Sequence, residues 1–310
     1  MTRASKERTR RRQRAGSPPP DRGFARSWLV LPAVLAAAVA IVILLRANGD
    51  DRSAAGREAG DPGPVHVHGL GVDPANGALF IATHTGLYRV DATSDKADRV
   101  GSSFQDTMGF TIVGSNRFLG SGHPDLRTDQ PPLLGLIEST DAGETWESIS
   151  LLGEAAFHVL RFAGERLYGY DASNDRLLAS ADRGRSWSEL RKPGPIVDVA
   201  IDAGDRRRLA AATRDGLFES RDAGETWKRL NAARGLLAWP SRERLYVVDG
   251  GGQMFRSRDG GRRFERRGSI GGEPAALLGV DADELFVALH DGTIKHSTDG
   301  GATWTVRSTP

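Results

Sequence analysis

The feature that most constrains the fold is an octapeptide that recurs five times at nearly constant spacing. Each copy begins with Ser, carries Asp at its third and Gly at its fifth position, and ends in an aromatic residue. The copies occupy residues 139–146, 180–187, 220–227, 257–264 and 297–304, so their first residues lie 41, 40, 37 and 40 positions apart. A period near 40 residues predicts an array of similar units that bury a core by packing against one another.

The residue types of the octapeptide indicate a tight turn. The Asp carboxylate can accept backbone N–H groups across the turn, and Gly tolerates a positive φ. The terminal aromatic ring is expected to pack between neighbouring sheets. The residues in these roles are Asp141, Gly143, Trp146, Asp182, Gly184, Trp187, Asp222, Gly224, Trp227, Asp259, Gly261, Phe264, Asp299, Gly301 and Trp304.

Each period also carries the pattern of four short strands. In the fourth unit these are 196–202, 208–213, 216–220 and 227–230, and residues 67–73, 79–83, 87–90 and 99–102 repeat the pattern without a recognisable octapeptide. Six units then start near residues 66, 106, 157, 196, 236 and 275. The sequence predicts an all-β, six-bladed β-propeller over residues 65–310, with seven blades as the alternative.

The first 27 residues are strongly basic and precede the repeats. Nine residues of 1–26 are Lys or Arg, against Glu7 and Asp21, although the formal net charge of the chain is only +2. The rest of the chain is mildly acidic, which gives no reason to expect nucleic-acid binding by the folded part. The chain has no cysteine, so disulfides and a lipidated N-terminal cysteine are excluded.

An uncharged apolar segment follows at residues 28–45. A helix of this length spans roughly 27 Å, close to the thickness of a bilayer core. Basic residues before it and acidic residues after it predict a single-pass transmembrane helix in the cell membrane, with a cytoplasmic tail and an extracytoplasmic propeller. The alternative is a cleaved signal peptide, which would leave the protein secreted. Residues 46–64 are polar and Gly/Pro-rich, which is typical of a flexible linker.

The expected blade geometry assigns the loops to two faces. The connections between blades and the turns between second and third strands lie on one face, here called the top face. The octapeptides lie on the opposite face. In the second unit, the Pro-rich insertion at residues 123–134 belongs to the top face and is predicted to form a rim or lid there.

Six of the seven histidines map to the top face when the units are aligned. At the start of the inner strands, equivalent positions hold His66 and Asp106, and then His68, Met108 and His158. At the turns between second and third strands, equivalent positions hold His84, His123 and His290.

These side chains predict a polar site at the mouth of the central channel, and two interpretations remain open. In one, His66, His68 and His158 bind a transition metal, completed by Asp106, Met108, His84 or His123; a thioether ligand would suit copper and a carboxylate zinc. In the other, the same residues and Tyr170 line a metal-free pocket for a protein or glycan ligand.

The octapeptide resembles the Asp-box, or BNR, repeat of sialidase-like and sortilin-like propellers, over about residues 65–310. Segments 66–74, 81–90, 108–114, 121–126 and 168–173 resemble a bacterial BNR-repeat family catalogued as glycosylhydrolase-like, whose members are typically anchored or secreted. That label derives from the repeat, so the resemblance implies a fold more than a catalytic activity.

Sialidases use a Tyr nucleophile paired with Glu, an Asp acid/base and three arginines. The Phe/Tyr-Arg-Ile-Pro motif that supplies the first arginine is absent here. Tyr170 is the candidate nucleophile near the top face, and Asp106 and Asp171 are the candidate carboxyl groups.

The sequence therefore leaves three functions open. The first is a membrane-anchored binding or assembly module that acts through its top face, resembling sortilin-like receptors and photosystem II assembly-factor propellers. The second is a copper- or zinc-binding protein. The third is an exo-sialidase-like glycoside hydrolase.

Overall fold

The computed structural model describes Asp61 and residues 63–310, which form 24 β-strands in six four-stranded antiparallel sheets. Each sheet is built from four strands that are consecutive in the chain. The first three sheets contain β1 (Val67–Val72), β2 (Leu79–Thr83), β3 (Gly86–Val90), β4 (Ala97–Val100), β5 (Asp106–Gly114), β6 (Arg117–His123), β7 (Leu136–Ser139), β8 (Glu147–Ser150), β9 (Phe157–Ala163), β10 (Arg166–Asp171), β11 (Arg176–Ser180) and β12 (Ser188–Leu190). The last three contain β13 (Ile196–Asp202), β14 (Asp205–Thr213), β15 (Gly216–Ser220), β16 (Lys228–Asn231), β17 (Leu236–Ser241), β18 (Arg244–Val248), β19 (Gln253–Ser257), β20 (Glu265–Ser269), β21 (Pro274–Gly279), β22 (Leu285–Leu289), β23 (Ile294–Ser297) and β24 (Thr305–Ser308).

The six sheets are the blades of a closed ring. The first strands of the blades contact one another in chain order, and β21 of the last blade contacts β1 of the first. These inner strands surround a central channel. The prediction of an all-β, six-bladed propeller is confirmed, and the alternative of seven blades is wrong.

The predicted N-terminal elements fall outside this part of the chain. The basic tail 1–27, the transmembrane helix 28–45 and most of the linker 46–64 lie outside the described residues, and these assignments stay predictions. Within the described residues, no helix is long and apolar enough to cross a membrane. At the end of the linker segment, Asp61 accepts hydrogen bonds from Arg99 and from the Tyr88 hydroxyl, each at 2.6 Å, so this residue packs on blade 1.

Burial explains which strands are apolar. Every residue of β2 and of β22 is buried, whereas two of the four residues in each of the outermost strands β8 and β24 are exposed. A second strand is covered by neighbouring blades on both faces, so it carries continuous apolar residues rather than an alternating pattern. The core is divided into six clusters, and each cluster joins the side chains of two adjacent blades.

The octapeptide forms the turn between third and fourth strands in blades 2 to 6. In the fourth blade, the Asp222 carboxylate accepts the Ser220 hydroxyl at 2.7 Å and the Thr226 N–H at 2.9 Å. The Ser220 Oγ accepts the Gly224 N–H at 2.8 Å. Gly224 has a φ of +94°, and a Cβ there would lie 2.6 Å from the Leu190 side chain. The turn thus requires Gly for both conformation and space.

The aromatic residue of the octapeptide packs between its own blade and the preceding one. The Trp187 ring lies 4.8 Å from the Phe157 ring and contacts the cluster that joins blades 2 and 3. Its Nε1 donates to the Ser150 Oγ of blade 2 at 3.0 Å. These turns therefore connect blades as well as strands. They also hydrogen-bond to the turn between first and second strands, as Ala142 N–H does to Asn116 O at 2.9 Å, which places them away from the histidine face.

Candidate functional site

A β-bulge near the start of the inner strand positions one side chain of most blades at the channel mouth. In β1, Val67 pairs with Thr83 and Gly69 with Ala82, so His68 is the extra residue. Similar irregularities in β5, β9, β13 and β21 make the extra residues Met108, His158, Val197 and Ala275. A bulge bends the strand and redirects a side chain, which explains why these residues line the channel.

A cavity of about 690 Å³ occupies the central channel. Its lining at the top includes His68, Met108 and His158 from blades 1 to 3, and Val197, Leu236 and Ala275 from blades 4 to 6. At the mouth, blades 1 to 3 therefore contribute imidazole and thioether groups, and blades 4 to 6 contribute aliphatic side chains.

The turn histidines are held by a backbone hydrogen bond that recurs around the ring. The N–H of His84 donates to the carbonyl of His66 at 3.2 Å, and the N–H of His290 donates to Glu273 at 3.0 Å. In blade 2, His123 pairs directly with Asp106 in the sheet register. The structure therefore places these histidines on the face that the alignment of the units assigned to them.

Three potential metal-ligand groups converge between blades 1 and 2. His84 Nδ1 lies 3.1 Å from Asp106 Oδ2, and His68 Nε2 lies 3.5 Å from Asp106 Oδ1. One ligand atom from each of the three residues lies within 4.8 Å of the other two. The Asp106 side chain is nearly buried, and His84 covers it from the exposed turn.

The two imidazoles of this group have opposite electrostatic environments. Burial lowers the pKa of His68 to about 4, so its ring is neutral at physiological pH. The hydrogen bond to Asp106 raises the pKa of His84. A neutral and a readily protonated imidazole therefore face the same carboxylate.

The group differs from the predicted ligand set of His66, His68 and His158. Of those three, only His68 belongs to it. Side chains alternate along a regular strand, so a strand over residues 66–68 would place His66 and His68 on the same side. His66 instead precedes β1 with a φ of +53°, and the bulge at His68 interrupts the strand, so this alignment does not hold. The His66 ring lies 6.0 Å from the His84 ring. His158 lies further along the mouth, where burial lowers its pKa.

The insertion of blade 2 forms a rim beside the mouth. Asp125 accepts the Phe104 N–H at 2.9 Å, and His123 Nδ1 hydrogen-bonds to the Pro132 carbonyl at 2.9 Å. These bonds hold the loop against its own blade and the connection from blade 1. No residue of this loop is among the described residues that line the channel cavity. The loop therefore does not act as a lid in this structure.

Two of the three candidate catalytic residues, Tyr170 and Asp171, lie in environments that do not suit the roles predicted for them. Tyr170 lines the cavity, but burial and its hydrogen bond to Asp175 raise its pKa to about 12, which disfavours a phenolate nucleophile. Asp171 is fully buried, and Arg176 Nη2 and Asn174 Nδ2 each donate to it at 2.8 Å. Asp171 therefore stabilises a turn and is inaccessible to a substrate.

The top face also carries exposed apolar side chains that the sequence patterns did not predict. Four of the six exposed large hydrophobic residues in the described part of the chain lie there, namely Phe104, Leu126, Leu152 and Val197. Leu126 is 88% exposed at the tip of the blade 2 insertion. No local pattern in the sequence distinguishes Leu126 from Leu134, which belongs to the same insertion and is buried.

Comparison with known proteins supports the fold. No protein-family model matches the chain. A curated relative is the dispase autolysis-inducing protein of Streptomyces mobaraensis, which is 38% identical over 97 residues. That match covers 31% of this chain and 25% of the relative, so the chain matches about a quarter of the relative's length.

Solved structures resemble the chain over most of its propeller. Nidogen in its complex with laminin has a TM-score of 0.60 at 12% identity, covering 75% of this chain and 93% of that chain. YCF48 bound to D1 peptide has a TM-score of 0.52 at 14% identity, covering 79% and 83%. A GH74 xyloglucanase from Xanthomonas campestris has a TM-score of 0.51 at 19% identity, covering 79% and 45%. The chain is a β-propeller. At these identities the likeness shows the fold alone, which serves enzymes and binding proteins alike.

Proposed function

We propose that this chain is a protein-binding module whose partner docks on the top face around the channel mouth. The observation that carries the proposal is that four of the six exposed large hydrophobic side chains of the described residues lie on that face. Exposed apolar surface gathered on one face favours an interaction with another molecule. Leu126 and Leu152 provide apolar contacts on the rim, and Val197 provides one at the mouth.

The structural neighbours are consistent with this role. YCF48 is described with a bound D1 peptide and nidogen with laminin, and both are propellers of similar architecture. A glycoside hydrolase, as in the GH74 neighbours, finds less support because Asp171 is inaccessible and Tyr170 is not activated.

We include in this proposal the repeat family and the membrane anchor that the sequence predicts. The hydrogen-bonded Ser-Asp-Gly turns support a place among Asp-box, or BNR, repeat propellers. The apolar segment 28–45 would anchor the propeller to the outer surface of the cell membrane. Extraction of membranes with alkaline carbonate tests the anchor: the full-length chain should stay in the pellet, and a chain that lacks residues 1–45 should not.

Photo-crosslinking tests the docking face. A photoreactive amino acid replaces Val197 at the top of the channel, Leu126 on the rim, or Val280 at the opposite end of the channel. Val197 and Val280 are matched in exposure, at 39% and 40%. In cells that produce the full-length chain, we expect the same protein to crosslink through positions 197 and 126 and not through position 280. Equal crosslinking from 197 and 280 would contradict the proposal.

Affinity measurements with the purified partner then test the contacts. Val197→Asp and Leu126→Asp should each weaken binding by about tenfold or more, because each removes an apolar contact and introduces a charge at the interface. Val280→Asp should leave the affinity unchanged. Binding to a glycan array, with no protein partner, would overturn the assignment of a protein ligand.

A further inference from the structure

The His68, His84 and Asp106 group contains two buried polar atoms that lack a hydrogen-bond partner. These atoms are His68 Nε2 and Asp106 Oδ1, which face each other at 3.5 Å. Buried polar atoms without partners are costly and rare, and each calls for a specific explanation. A cation between the two atoms would satisfy both.

The spacing of the group fits coordination of one ion. Ligand atoms that each lie about 2.0–2.1 Å from a tetrahedral zinc ion are roughly 3.3 Å apart. The observed separations are 3.1 Å from His84 Nδ1 to Asp106 Oδ2 and 3.5 Å from His68 Nε2 to Asp106 Oδ1. One ligand atom from each of the three residues lies within 4.8 Å of the other two, so side-chain movements of about an ångström would bring all three within reach of one ion.

We propose that His68, His84 and Asp106 form a binding site for a divalent transition-metal ion of the zinc type, open towards the channel mouth. Two imidazoles and a carboxylate are ligands that zinc prefers, and three protein ligands leave a coordination position for water or a ligand group. The hard carboxylate oxygen favours Zn²⁺ over Cu⁺. The metal would also connect β1 and its turn to β5 of the next blade.

The metal site and the protein-binding surface rest on different residues, because none of the three metal ligands belongs to the exposed apolar set. Either proposal can therefore fail without the other. The metal site also differs from the sequence hypothesis, which placed His66 and His158 in the ligand set. Variants of His158 therefore separate the two hypotheses.

Calorimetric titration with Zn²⁺ tests the site on the full-length chain, purified in mild detergent without a polyhistidine tag and stripped with a chelator. The wild type should bind about one equivalent, and a Co²⁺ derivative should show the intense visible absorption of a tetrahedral site. His84→Ala and Asp106→Asn should each weaken Zn²⁺ binding by about 100-fold or more, since each removes a ligand.

Two variants serve as controls. His290 occupies the equivalent turn of blade 6, so His290→Ala should leave the affinity unchanged. His158→Ala should also leave it unchanged. Because His84 is an exposed turn side chain, His84→Ala keeps the test valid even where Asp106→Asn fails to fold.

The opposite results would overturn the site. Undiminished Zn²⁺ binding in His84→Ala would exclude it, as would binding that His290→Ala or His158→Ala weakens to the same extent. A wild-type chain without Zn²⁺ affinity above that of the His84→Ala variant would exclude it as well.

Discussion

Arg161 of blade 3 donates through Nη2 to the carboxylate of Asp198 of blade 4 at 2.7 Å. Asp198 is buried, and its other oxygen accepts the N–H of Leu237 in blade 5 at 2.8 Å. One carboxylate thus joins three successive blades near the channel. Loss of this one carboxylate should therefore weaken the contacts between three blades at once.

Replacement of Asp198 tests this dependence. Asp198→Ala should lower the free energy of unfolding by about 2–3 kcal/mol, because it leaves the buried Leu237 N–H without an acceptor and removes the ion pair of the partly exposed Arg161. Glu165→Ala, which removes an exposed ion pair with Arg183, should cost less than about 1 kcal/mol. Urea unfolding of the full-length chain measures both. Equal losses in the two variants would contradict the prediction.

The Gly of the octapeptide should be irreplaceable. Gly224→Ala places a Cβ at a φ of +94° and 2.6 Å from the Leu190 side chain, so a loss of at least about 2 kcal/mol is expected. A Cβ added at Gly250 would meet no heavy atom within 4 Å, and Gly250→Ala should change the stability by less than about 0.5 kcal/mol. Comparison of the two unfolding curves checks the prediction, and a tolerated Gly224→Ala would refute it.

The turn carboxylates should make the fold sensitive to acid. Hydrogen bonds from Thr226 lower the pKa of Asp222 from 3.8 to about 2. A carboxyl group with a lowered pKa in the folded state stabilises the protein above its unfolded pKa, and that contribution is lost as the pH falls through the folded pKa.

The measurement compares wild type with Asp222→Asn at about pH 5 and about pH 2.5. The difference in unfolding free energy between the two proteins should be larger at the higher pH and should shrink at the lower. A difference that is the same at both values would show that the charge of Asp222 contributes nothing.

Alkaline titration should detect the environment of the tyrosines. Burial, together with hydrogen bonds to carboxylates, raises the pKa of Tyr88, Tyr170 and Tyr246 to about 12, and burial raises that of Tyr168. These are all four tyrosines of the chain. Because the neutral form is favoured in the folded state, their contribution to stability is complete below about pH 10 and is lost as the pH rises towards 12.

The check is the ultraviolet absorbance of tyrosinate in the full-length chain and in Tyr170→Phe. Little ionisation should appear near pH 10 in either protein while the fold persists. A tyrosine that titrates below about pH 10 in the wild type and disappears in Tyr170→Phe would revive Tyr170 as a nucleophile.

The sequence predicted the face on which much of the site lies, but it did not predict which side chains meet there. Aligned repeats placed His68, Met108 and His158 at equivalent positions, and the bulges at these residues agree with that alignment. The ligand group could not be derived in the same way, because His84 and Asp106 belong to different blades. Their distance depends on how two sheets pack, which no local pattern encodes.

The exposed apolar residues illustrate the same limit. Leu126 and Leu134 both belong to the blade 2 insertion, yet the first is 88% exposed and the second 3% exposed. Composition does not distinguish them, since only the folded loop decides which side chain is covered.

The sequence by itself predicted six blades, the chemistry of the turns and the face on which six of the seven histidines lie. These follow from spacing and strand alternation, which act over a few residues and repeat along the chain. Tertiary structure alone decided that His84, rather than His66 or His158, joins His68 at Asp106. The left-handed backbone of His66 and the bulge at His68 interrupt the alternation, and the closed ring then sets which side chains of adjacent blades meet.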